Sequence, residues 1–118
     1  MRMWKAGQVA GVNTPTYVRD NIHVDLLAET YCQYAEQLMK GTSRAVLHPS
    51  GYVESQGVFA ERFAREMRVR FGLDCQLDLA RQTEFPEPVM RVNTDTATLI
   101  VPSWDETTAW DAIAEYYL

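Results

Sequence analysis

Apolar positions fall at helical spacing in three stretches of the chain. Val24, Leu27, Ala28, Tyr31, Tyr34, Ala35 and Leu38 recur at intervals of three and four, which gathers them on one side of a helix. That spacing predicts a helix running from residue 24 to Gly41. Asp25 is the expected N-terminal residue, because a carboxylate there meets unpaired N–H groups and the positive end of the dipole. Phe59, Ala60, Phe63, Ala64, Met67 and Phe71 form a second stripe and predict a helix over 53–71, closed by Gly72. Arg62, Arg65 and Arg68 take another of its faces, and Glu61 stands four residues before Arg65 in the favourable order. Trp110, Ile113, Ala114 and Tyr117 share one face of a last helix. It follows Ser103-Trp104-Asp105-Glu106, a run with the spacing of a capping box.

The intervening segments read as strands and turns. Residues 17–24 and 44–48 are strand candidates by their β-formers, and Pro49-Ser50-Gly51 is an expected turn. Residues 75–79 alternate apolar and polar, the mark of a half-buried strand. Residues 84–88 carry two prolines and read as a loop, while 89–92 and 98–101 are further strand candidates. The expected fold class is α+β: one small domain over residues 1–118, with about three helices packed on short strands.

Composition narrows the function more than the fold. At 118 residues, 47% hydrophobic and 23% charged, the chain reads as globular. A net charge of −5 argues against nucleic acid, whose phosphates call for clustered Lys and Arg. It permits a basic partner. Cys32 and Cys75 show no metal-ligand spacing and are expected to be reduced, buried thiols of a cytoplasmic protein. Residues 1–5 are followed by no apolar signal region, and no run reaches the roughly 18 residues of a membrane span. Neither a metal nor a membrane partner is expected.

Arg19-Asp20-Asn21-Ile22-His23-Val24-Asp25-Leu26-Leu27-Ala28 resembles a signature of the extended short-chain dehydrogenase/reductases, the NAD-dependent nucleotide-sugar epimerases and dehydratases. Their C-terminal substrate-binding part carries Arg-Asp-aromatic-Ile-His-Val-x-Asp-x-Ala. Asn21 stands here in place of the aromatic residue, and Leu26 in place of the second acid. Residues 7–12, the helix after Gly51 and the final Trp-Asp-Glu helix follow the same order. The resemblance therefore implies a C-terminal domain of such an enzyme without its Rossmann domain. The Gly-rich dinucleotide fingerprint is missing. So is a Tyr-x-x-x-Lys pair: Tyr17, Tyr31, Tyr34 and Tyr52 are followed four residues on by Asn21, Ala35, Leu38 and Gln56. No catalytic residue and no cofactor is expected, and the resemblance implies a residual contact of Arg19 with a substrate diphosphate. The competing expectation is that Arg19 pairs with Asp20 or Asp25. His23 is expected to be a hydrogen-bonded core residue.

The functional expectation is a non-enzymatic protein-binding domain, a repurposed epimerase part acting as an inhibitor of another protein or complex. Phage or mobile-element anti-defence proteins such as anti-CRISPR proteins are of this type. Its candidate contact residues are Arg62, Arg65 and Arg68 on one helix and Asp105, Glu106, Asp111 and Glu115 on the last. The alternatives are a nucleotide-sugar-binding subunit that completes a separate Rossmann chain, and a homodimer without ligand. Removing a neighbouring domain leaves apolar surface that a stable chain must cover.

Overall fold

A computed structural model describes residues 1–42 and 45–118. In chain order it places α1 (Arg2–Lys5), β1 (Ala10–Val12), β2 (Val18–Asn21), α2 (Val24–Met39), β3 (Pro49–Ser50) and β4 (Tyr52–Ser55). Next come α3 (Gln56–Phe71), β5 (Leu77–Leu79), β6 (Met90–Arg91), β7 (Asp95–Thr96), α4 (Ala97–Ile100) and α5 (Glu106–Tyr116). The result is the expected α+β fold, with three long helices and short strands.

The strands form three separate small sheets. β1 lies parallel to β5, with Ala10 opposite Leu77. β2 is the centre of a three-stranded sheet, antiparallel to β4 and parallel to β6. β3 pairs with β7. Asp20 ties the second sheet to its neighbours: one carboxylate oxygen accepts from the Gly51 amide at 2.6 Å, the other from the Asn93 amide at 2.9 Å. Gly51 packs so closely on β2 that a Cβ would lie 2.2 Å from the Asn21 carbonyl oxygen. Only glycine fits there.

Helix ends follow local chemistry. Ser55 accepts from the Val58 amide and caps α3. Gly72 at φ 64° ends it, a left-handed cap that avoids a Cβ penalty. At the end of α2 the amides of Gly41 and Thr42 bond to the carbonyls of Leu38 and Gln37, both at 3.0 Å, which is a Schellman closure. The start of α2 corrects an expectation. His23, not Asp25, is the cap: its Nδ1 accepts from the Asp25 amide at 3.2 Å. Likewise Asp105, not Ser103, caps α5, accepting from the Thr107 amide.

Two small cores hold the elements together. In the first, the α3 stripe supplies Ala64 and Met67, which pack with Trp4, Cys75, Trp110 and Ala114. The second joins Leu26 of α2 to Ala97 and Val101, with Ile22, Tyr52 and Trp104 at its edge. The predicted strand over 98–101 is therefore mostly the helix α4. Ala97 and Val101, four apart, are both buried, and so short an apolar run reads equally as strand or helix. Of the predicted strand over 44–48, Arg44 lies outside the described residues and 45–48 form no strand. The expected turn at 49–51 is instead β3 and the start of the approach to β4. Pairing of 52–55 with β2 delays α3 to Gln56. Arg65 meets Glu66 at 3.5 Å rather than Glu61. Cys75 is buried, and that burial pushes its thiol pKa up; Cys32, expected inside, is exposed.

The largest departure concerns α2. Its buried residues are Leu26 and Thr30, and the Thr30 hydroxyl donates to the Leu26 carbonyl at 2.7 Å. The predicted apolar stripe is largely uncovered: Val24 is 69%, Tyr31 51% and Leu38 49% exposed. At about 100° per residue, the centre of that stripe lies about 120° round the helix from Leu26 and Thr30. The molecule is thin and open, measuring 53 × 35 × 17 Å with a radius of gyration of 16.8 Å. A compact domain of this length has about 13.5 Å.

Candidate functional site

A cleft of about 530 Å³ opens along the seam between the two cores. The corner between β2 and α2 brings Asn21, Ile22 and His23 to one wall. Tyr52 of β4 and Phe59 and Arg62 of α3 form the floor. Trp104 and, from α5, Glu106, Trp110 and Ile113 close the other side. The walls are mostly aromatic and aliphatic, with a few polar groups, as small binding pockets usually are.

Arg62 organises the floor. Its guanidinium lies over Tyr52 at 4.7 Å and over Trp110 at 5.3 Å from the ring centroids. One terminal nitrogen donates to Glu106 and the other to Glu54. Trp110 donates its indole N–H to the same Glu106 oxygen at 3.0 Å. Trp104 donates to the Tyr52 hydroxyl at 2.8 Å. Burial raises the Tyr52 phenol above its usual pKa, and the Trp104 hydrogen bond opposes that rise. One positive charge thus faces two carboxylates, so the floor offers no surplus positive charge to an anion.

Two cleft-lining residues each hold a fully buried donor without a partner among the described residues: Asn21 Nδ2 and Arg62 Nε. His23 Nδ1 accepts from the Asp25 amide. His23 also packs against Trp104, ring centroids 5.5 Å apart.

The structure distributes the predicted site residues differently. Arg62 and Glu106, assigned to separate contact faces, meet in the floor of the cleft. Arg19 lies outside it. Its Nη1 donates to the carbonyls of Val18 at 2.8 Å and Val89 at 3.2 Å, Nη2 faces Glu87 at 3.4 Å, and the guanidinium covers Tyr17 at 4.5 Å. Its ionic partner is therefore Glu87, not Asp20 or Asp25, and it fastens the 87–89 loop to β2. Arg68 donates to the Cys75 carbonyl at 3.2 Å, and Asp111 binds Arg70 at 2.8 Å. Asp105 is held below the usual carboxylate range by the Thr108 hydroxyl and the Thr107 amide. Arg65 and Glu115 face solvent.

Sequence reasoning missed Asn21 and Tyr52; Trp104 and Trp110 were expected only as core or interface anchors. The Trp104–Tyr52 bond spans 52 residues of chain, a separation that no periodicity encodes. His23 carried a local signal, since it stands just before the helical period begins. Among the described residues, no group of three or more His, Cys, Asp or Glu is placed to hold a metal ion. Among the described residues, no helix is long and apolar enough to cross a membrane. No family model, curated protein or solved structure matches the chain.

Proposed function

We propose that the chain is a non-enzymatic binding domain whose partner is another protein, and that the uncovered stripe of α2 is its contact face. The observation that carries this reading is the inverted helix. α2 buries Leu26 and Thr30 but turns Val24, Tyr31 and Leu38 to solvent. A contiguous apolar band of this kind marks an interaction surface rather than scattered exposure. The band runs about 21 Å along the helix. Asp25, Glu29 and Glu36 lie on another face of α2, and Lys40, just past its end, pairs with Glu36 at 3.8 Å. The partner surface that fits is apolar. An inhibitory role against a larger assembly, of the anti-CRISPR kind, belongs to the same proposal. It requires only occupancy of a partner's surface, not chemistry.

The test compares wild type with the double variant Tyr31→Glu, Leu38→Glu. Tagged wild type is expected to retain a partner from bacterial lysate stoichiometrically, and the variant to lose it with an unchanged helical circular dichroism spectrum. Self-association lost in the variant would make the partner a second copy of the chain. Equal behaviour of both proteins sinks the contact face.

A nucleotide-sugar-binding subunit that completes a separate Rossmann chain is the second reading. Its support is that Asn21, Ile22 and His23, within the segment that resembles the epimerase signature, line the cleft. Against it, the Arg19 guanidinium is engaged by backbone carbonyls and Glu87. A melting temperature raised by UDP- or dTDP-sugars, and lost in Arg19→Ala, would favour this reading.

A further inference from the structure

We propose that, in the absence of its partner, the contact face of α2 is covered by α2 of a second copy, the two helices packing antiparallel in a weak dimer. The proposal rests on the reading of that face as an interaction surface and names its resting occupant.

The spacing on the exposed face calls for a helix. Val24, Ala28, Tyr31, Ala35 and Leu38 follow one another at four, three, four and three residues, and all five are exposed. That alternation is the a/d seam of a coiled coil, which another helix fills. Leu26 and Thr30, buried against the rest of the chain, take the outward f and c positions of the same repeat. α2 therefore packs on its own chain through its outer positions and leaves its seam open.

Side-chain size along the seam selects a second copy in antiparallel order. Val24, Tyr31 and Leu38 hold one heptad position, Ala28 and Ala35 the other. A parallel pair of copies would set Tyr31 on Tyr31 and Ala28 on Ala28. An antiparallel pair sets one position against the other, so Tyr31 of each copy faces Ala35 of the other, and Leu38 faces Ala28. Large against small is how packed layers interdigitate, and the reciprocal contacts are those of an isologous twofold interface. Glu29 and Glu36 take b positions, away from the seam, so like charges do not meet. In this register the twofold axis passes beside residue 33, where Cys32, exposed at the edge of the seam, approaches its own copy. Layers confined to one 16-residue helix bury less than the roughly 1,200 Å² of stable interfaces. The dimer is therefore dissociated at low micromolar concentration and leaves the face open to a tighter partner.

Sedimentation of the full chain from low micromolar to near-millimolar concentration is the first readout, and a rising average mass is expected. The double variant Tyr31→Glu, Leu38→Glu is expected to stay monomeric. Ala35→Leu is expected to weaken self-association roughly tenfold, by overfilling the layer opposite Tyr31. A short bismaleimide reads the orientation. Wild type is expected to cross-link through Cys32, since Cys75 is buried. In a Cys32→Ala background, Asp25→Cys and Met39→Cys are expected to cross-link to each other when mixed, and neither to itself. Every position changed is exposed, so each variant keeps the helical circular dichroism of wild type. Cross-linking of Met39→Cys to itself would mean a parallel pair and overturn the arrangement. A monomer at all concentrations, or self-association untouched by the double variant, overturns the pairing. Partner capture from a protein that is always monomeric leaves the protein-binding reading standing and the pairing overturned. Self-association that follows the pattern above, with no partner captured, does the reverse.

Discussion

α2 and α3 are both 16-residue helices, and they obey the same local rules. Each begins at a side chain that accepts a backbone amide, His23 or Ser55. Each ends at a glycine of positive φ, Gly41 or Gly72. Each carries an apolar stripe. Yet α3 turns its stripe onto Trp4, Cys75 and Trp110, while α2 turns its stripe to water and buries a mixed face on α4. The difference is one of neighbours, not of propensity. Periodicity reports that a face is apolar; it does not report that the same chain covers it.

The sharpest way to break that comparison is paired truncation. Met67→Ala removes a fully buried α3 side chain and is expected to cost about 2–5 kcal/mol in urea unfolding. Leu38→Ala, at a position 49% exposed, is expected to stay within about 0.5 kcal/mol. Similar losses at the two positions would mean that the α2 stripe is covered after all.

A second test concerns the seam between the helices. Arg62→Ala leaves Glu54, whose side chain is only 14% exposed, without its counter-charge. Breaking a buried pair from one side costs about 3 kcal/mol. Glu106→Gln is expected to cost less, because Glu106 is 40% exposed and water screens its charge. Denaturant midpoints for the two variants give the order, and a reversed order would move the electrostatic centre of the cleft from Arg62–Glu54 to Glu106.

The same comparison explains what was legible in the sequence. The α3 stripe, its closing Gly72 and the core face of α5 were readable, because each depends on neighbours three or four residues away. The strand expected at 98–101 was misread because Ala97 and Val101 pack on Leu26, a contact set by tertiary structure. The cleft was the least legible part. Arg62 and Glu106 were singled out as charges on separate solvated faces. What joins them is the packing of α5 on α3, together with Tyr52 on β4, and none of these relations has a short-range signature. Arg19 shows the opposite error. It stood out by motif, but its bonds to Val18 and Val89 and its pairing with Glu87 are fixed by the route of the 87–89 loop.

The smallest expected effect separates two roles of one residue. Ser55→Ala removes the α3 cap bond to Val58 and is expected to cost about 1 kcal/mol, as N-cap losses do. His23→Ala removes the corresponding bond on α2, but it also strips a ring from beside Trp104. His23→Asn keeps an N-cap acceptor and loses the ring, so the pair of variants divides the two contributions. If capping dominates, His23→Asn retains wild-type stability while His23→Ala falls by an amount comparable to Ser55→Ala. If the ring dominates, both variants lose stability and the Trp104 fluorescence changes in both. The first outcome makes His23 the counterpart of Ser55, and α2 a helix as well started as α3. The second makes the corner between β2 and α2 a wall of the cleft first and a helix start only second.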